Sequence, residues 1–224
     1  MNIVQQMWEF CKLASKEPKT NSDPLVKDSI FTPMTGEMSY GFIADFGDRV
    51  IICFRETRGN IRSWFEDLYF SPTKETDLGT LHGGFHDTWQ QFEQTVLEYV
   101  KKNVPFNKPI FCTGYSQGAA IATLCAAHIA HPHILNRPCS MINFGSPKVG
   151  KSDFRDIYNS LPINSTCCIN GWDIVPDVPL YDMGFRAVGN WIHFIQPLWH
   201  KFFCKFTDHA GYDFVVRTWK TINK

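Results

Sequence analysis

The sequence predicts an α/β fold with a mostly parallel central sheet flanked by helices, on three observations. Residues 109–113 are apolar and partly β-branched, and residues 119–130 are rich in alanine. A buried strand therefore runs into a buried helix across a glycine-bounded turn. Further strand-like runs lie at 140–144 and 163–169, with helical stretches between successive runs, which implies right-handed crossovers and parallel neighbours. The length of 224 residues suits a single domain, 1–224. A domain of this size buries roughly 70% of its unfolded surface and needs no metal or disulfide staple.

The elements follow in order. Residues 4–14 carry apolar side chains at Val4, Met7, Trp8, Phe10, Cys11 and Ala14, a helical stripe. Residues 16–33 are polar and punctuated by proline, a connection. Residues 40–46 and 49–54 flank Gly47-Asp48 and read as a hairpin. A second amphipathic helix covers 85–100, with Phe85, Trp89, Phe92, Val96 and Val100 on its apolar side. Residues 215–222 are expected to close the chain as a helix. Neither repeats nor a linker interrupt the pattern.

Composition narrows the function classes. Twenty-two basic residues balance 22 acidic ones, so the net charge of zero leaves no electrostatic footprint for nucleic acid or an anionic membrane. Aromatics reach 15%, which suits a large apolar pocket or surface. No apolar run has the length of a transmembrane segment. Residues 1–6 have neither a basic stretch nor an apolar one, so no signal peptide is expected and a chain complete as given would be cytoplasmic. Several of the eight cysteines fall within expected core strands (Cys53, Cys112, Cys167, Cys168) and read as buried free thiols rather than disulfides. No Cys/His spacing suits a metal, and no cofactor is implied.

Gly114-Tyr115-Ser116-Gln117-Gly118, between strand and helix, is the context of a nucleophile elbow: a serine on a strained turn with its hydroxyl exposed, and glycines that let strand and helix approach. Such a serine needs a base and an acid to orient the base. Asp173 lies just past the strand at 163–169, where a parallel sheet presents its loops, and is the expected acid; Asp177, before Val178-Pro179, is the alternative. His209, in a loop ahead of the last helix, is the expected base. His193 reads as an outward strand residue, and His200 as a solvated one. For the oxyanion, one donor is the backbone N–H of Gln117, and Thr57 at the end of the strand 50–54 is the candidate for the second.

With these residues in place, the chain resembles the class 3 (fungal-type) triacylglycerol lipase family of the α/β-hydrolase fold, over residues 40–217. Phe54-Arg55-Glu56-Thr57 resembles the oxyanion strand end F-R-G-[ST], and residues 61–68 are similar to I-x-x-W-x-x-D-L. Leu81-His82-Gly83-Gly84-Phe85 resembles V-H-x-G-F, and residues 144–150 resemble F-G-x-P-R-V-G. Asp173-Ile174-Val175-Pro176 matches D-x-V-P, and Asp208-His209 with Tyr212 matches D-H-x-x-Y. The resemblance implies the triad Ser116, Asp173 and His209 with Thr57 and Gln117 at the oxyanion hole, the residues chosen above. It also implies a lid over residues 58–64, including Trp64 and hinged at Gly59; the alternative is an ordinary surface loop.

The chain departs from the family pattern in its elbow, where G-Y-S-Q-G replaces G-H-S-L-G and is more typical of cutinases. Glu56 stands where the family has glycine, and is expected to face away from the oxyanion, towards Arg55, Arg58 or Arg62. Residues 197–206 form an expected helix whose face of Leu198, Trp199, Phe202 and Phe206 either packs on the core, walls the acyl pocket or makes transient contact with a lipid interface. The expected function is a serine carboxylic-ester hydrolase acting on lipid or other esters. The alternatives are a cutinase-like or short-chain esterase without interfacial activation, and a catalytically silent scaffold.

Overall fold

The computed structural model describes residues 1–58, 71–194, 209, 211–213 and 216. The first helix, α1 (Ile3–Ser15), starts with a reciprocal cap: Asn2 Oδ1 accepts from Gln5 N (2.9 Å), and Gln5 Oε1 accepts from Asn2 N (3.1 Å). Strands β1 (Ile30–Thr35), β2 (Tyr40–Asp45) and β3 (Val50–Phe54) form an antiparallel meander. The β2–β3 turn falls at Gly47-Asp48 as expected, closed by Phe46 N donating to Arg49 O (2.8 Å). Two short strands follow, β4 (Thr73–Thr76) and β5 (Gly79–His82), then helix α2 (Gly83–Asn103). The parallel part comprises β6 (Ile110–Tyr115), α3 (Gln117–Ala130), β7 (Cys139–Phe144), β8 (Gly150–Lys151), α4 (Ser152–Ser160) and β9 (Ile163–Asn170). Two single 3₁₀ turns, Val175–Asp177 and Tyr181–Met183, lead to strands β10 (Phe185–Arg186) and β11 (Asn190–Phe194).

The main sheet has the order β1-β2-β3-β6-β7-β9-β11, with every pair from β3 to β11 parallel. A second sheet, β10-β8-β5-β4, is antiparallel. The α/β fold with a mostly parallel centre is thus the one expected. Two features differ. Residues 30–35, of which 30–33 were expected within a polar connection, form edge strand β1; an edge tolerates Pro33, which has no N–H to give a ladder. The second sheet was not foreseen, because its strands are two to four residues long and carry no readable period.

The sheet separates two apolar clusters. In β3, Val50, Ile52 and Phe54 point to the cluster that holds α2 and α3, while Ile51 and Cys53 point to the cluster that holds α1. Both faces are covered, so β2 and β3 read as continuous buried runs. Each large side chain so buried contributes about 1.5–3 kcal/mol. Seven cysteines, Cys11, Cys53, Cys112, Cys125, Cys139, Cys167 and Cys168, are buried and carry no disulfide. Among the described residues no helix is long and apolar enough to cross a membrane.

Candidate active site

Ser116 joins β6 to α3 at φ 55° and ψ −123°, a conformation costing a residue with a side chain about 1–3 kcal/mol. Backbone bonds hold it there: its N–H donates to Phe144 O of β7 (3.0 Å), and its carbonyl accepts from Ala119 N (3.0 Å) and Ala120 N (3.3 Å). The flanking glycines permit main-chain contact. A Cβ on Gly114 would lie 2.2 Å from Gly118 O, and one on Gly118 would lie 2.3 Å from Phe54 O. The helix start is thereby pressed onto the end of β3 as well as β6. Ser116 as a residue is buried. Its strand lies between β3 and β7, and the loops leaving both neighbours flank the turn.

Asp173 follows β9, as expected. Its N–H donates to Asn170 O (3.0 Å), and its Oδ1 accepts from Val175 N (2.9 Å), which fixes the carboxylate at the sheet end. His209 Nδ1 lies 2.9 Å from Asp173 Oδ2 and 3.0 Å from Oδ1, with both side chains buried. An ionised carboxylate only accepts, so Nδ1 carries the proton and Nε2 keeps a lone pair. Of the alternatives, Asp177 is exposed, and His193 on β11 is exposed with Nε2 against Gly171 O. His200 lies outside the described residues. His209 was expected in a loop; its backbone is helical, as are Tyr212, Asp213 and Val216.

Sequence reasoning gave no role to two residues beside this pair. Tyr212 donates its hydroxyl to Asp173 Oδ2 (2.8 Å) and accepts from Asn170 N (3.0 Å). Burial first, and then the Asp173 charge, push the Tyr212 phenol well up, so it remains a donor. Gly145, at φ +54°, passes so close that a Cβ would lie 2.7 Å from Asp173 Oδ2 and 3.1 Å from His209 Nδ1. The F-G-x-P and D-H-x-x-Y motifs held the signal for both; the reason became visible only in three dimensions. The segment bearing His209 is also clamped from α1. Trp8 Nε1 donates to Asp213 Oδ1 (3.0 Å), Lys12 Nζ lies 2.9 Å from the same oxygen, and Gln5 Nε2 donates to Val216 O (3.2 Å).

On the other side of the elbow, Thr57 Oγ1 donates to Gln117 Oε1 (2.8 Å), tying the two expected oxyanion residues together. Gln117 opens α3, where first-turn N–H groups have no partner within the helix and the dipole favours negative charge. Arg55 anchors the Thr57 segment: its guanidinium pairs with Glu17 (3.0 Å) and donates to Met38 O (2.8 Å). Glu56 turns to α1, where its carboxylate accepts from Ser15 Oγ (2.8 Å), while Thr57 turns to α3. The arginine partners expected for Glu56 are engaged otherwise, since Glu17 binds both Arg55 and Arg58 (2.8 Å); Arg62 lies outside the described residues. Beside Thr57 and Gln117 opens a cavity of about 320 Å³, whose walls include Met38, His82, Phe85 and Gln91. Trp64, Trp199 and Phe202, the expected lid over 58–64 apart from Arg58, and the expected helix 197–206 lie outside the described residues, as does most of 215–222.

Residues 51–183 match the family model described as Lipase (class 3). The chain belongs to the class 3 lipase family. A lipase of Caenorhabditis elegans is 25% identical over 167 residues, 72% of this chain and 47% of that protein. A rice phospholipase A1 is 32% identical over 159 residues, 59% of this chain and 40% of that protein. The chain thus spans about half the length, or less, of these curated relatives. Among solved structures, the lipase from Rhizopus microsporus var. chinensis superposes with a TM-score of 0.76 at 19% identity, over 87% of this chain and 75% of that one. As a class 3 lipase family member, the chain has the α/β-hydrolase fold expected of it.

Proposed function

We propose that this class 3 lipase-family chain hydrolyses carboxylic esters of lipids through an acyl-enzyme on Ser116. The observation that carries the reading is His209 Nδ1 held by the buried Asp173 carboxylate, with the positive-φ serine at the strand end of the same sheet. In this reading, His209 Nε2 takes the Ser116 proton as the oxygen attacks the ester carbonyl. The oxyanion is met by the N–H groups of Gln117 and Thr57, each worth about 3–4 kcal/mol in the transition state. His209⁺, stabilised by Asp173, then protonates the leaving alcohol. Water, activated by the same imidazole, releases the acid and restores the serine. The relatives named as lipase and phospholipase A1 support a lipid ester as substrate.

A fluorophosphonate probe tests the reading: wild type is labelled at Ser116, and Ser116→Ala is not. A wild-type protein that takes no label and cleaves no p-nitrophenyl ester sinks it. A second reading, a short-chain esterase, draws on the cavity, since about 320 Å³ is near the lower end for ligand pockets and its walls mix Met38 and Phe85 with His82 and Gln91. Faster turnover of tributyrin than of triolein supports that second reading; the reverse supports a long-chain lipase.

A further inference from the structure

The elbow residue Tyr115, which departs from the family's histidine, is half-buried and packs towards His209. Its ring lies against the His209 imidazole, with centroids 4.8 Å apart and planes 29° from parallel, and its hydroxyl donates to the His209 main-chain carbonyl. Trp8 from α1 abuts the same ring edge-on at 5.4 Å, and Tyr212 packs at 5.6 Å. We propose that Tyr115 is a positioning residue for His209, its ring fixing the plane of the imidazole and its hydroxyl fixing the backbone from which the imidazole projects. The inference rests on His209 acting as the base.

Two parts of the side chain then do separable things. The hydroxyl holds the histidine at its working distance, so its loss lowers kcat and leaves substrate binding alone. The ring face meets the imidazolium that forms during each proton transfer, and a cation over an aromatic face is favoured over the neutral form. Other groups facing His209 are Asp173 after β9 and Tyr212 on its own segment. Lys12 on α1 is neutralised by Asp213 and Glu9, and Glu56, bonded to Ser15, faces the Tyr115 side. None of these leaves with the Tyr115 ring, so the ring's share is separable by substitution.

The test measures kcat, KM and the pH profile of kcat/KM on a soluble p-nitrophenyl ester for wild type, Tyr115→Phe and Tyr115→Leu, with fluorophosphonate labelling as a prior check. Tyr115→Phe should lose roughly tenfold in kcat with KM unchanged and keep the acidic limb where wild type has it. Tyr115→Leu should lose more, and its acidic limb should move to lower pH by roughly half a unit, because the protonated imidazole has lost its ring face. Wild-type kcat in Tyr115→Phe together with an unmoved limb in Tyr115→Leu overturns the proposal. If Tyr115→Leu does not fold, Tyr115→Phe decides alone: wild-type kcat overturns the proposal, and a tenfold loss at constant KM supports it. Absence of label on wild type defeats the serine-hydrolase reading instead, a distinct outcome.

Discussion

Gly145 shows how little room separates Asp173 from His209. An alanine there must adopt φ +54°, at about 1–2 kcal/mol, and also push a methyl between Asp173 and His209. Gly145→Ala is expected to fold, by circular dichroism, and to lose on the order of a hundredfold in kcat on a soluble ester with little change in KM. Lys148 offers a different measurement. Its buried amine donates to Asp177 O and Pro179 O beneath the Tyr181 ring, and burial lowers its pKa to about 8. Between about pH 8 and the ordinary lysine value near 10.4 the unfolded chain binds the proton and the folded chain does not, so this residue's contribution to stability rises with pH there. Below that window its burial penalty, roughly 3 kcal/mol, is fully expressed. Urea unfolding at pH 7.5 and 10.5 should show wild type gaining on Lys148→Met by up to that amount; a pH-independent difference contradicts it.

At the scale of elements, α1 is a clamp as well as a cover. Trp8 packs on Tyr115, Phe144 and Tyr212 while its Nε1 binds Asp213, so one side chain touches β6, β7 and the segment bearing His209. Trp8→Leu should cost about 2–3 kcal/mol in urea unfolding, from lost packing plus a lost bond to a carboxylate. The stripe at Val4, Met7, Trp8 and Cys11 announced this helix in the sequence, but its partner could not be read there, because Asp213 lies two hundred residues away. The hairpin, β6, β7, β9 and the elbow were legible, since both faces of the sheet are covered and apolar or β-branched residues make up most of these strands. Strand β1 was hidden by Pro33 and by the mixed polarity of an edge, and β4, β5, β8 and β10 by brevity. In the site, Asp173 was legible from its place past a strand end and His209 from its place ahead of the expected last helix, and the structure brings the two side chains together. Tyr115, Tyr212 and Gly145 were not legible, because their roles depend on distances between loops.

For the molecule as a whole, two apolar cores on opposite faces of one sheet enclose the seven buried thiols. Burial raises the pKa of Cys167 to about 12 and pushes Cys168 up as well, which suppresses the reactive thiolate. Under native conditions these seven thiols should react with a disulfide reagent only as fast as the fold opens, and rapidly in urea. Rapid modification of several of them in the native protein contradicts the packing described.

The contacts from Gln5 and Trp8 to Val216 and Asp213 span 211 and 205 positions of the chain. Ser116 sits in a locally built turn, whereas His209 lies on a segment held by residues some two hundred positions earlier in the chain. During synthesis the elbow and Asp173 are made before His209. During refolding, contacts of such separation carry the largest closure entropy and are expected to be among the last to form. On the reading of Ser116 and His209 as a catalytic pair, the onset of fluorophosphonate labelling during refolding would date the moment when these two segments meet, a clock for completion of the fold.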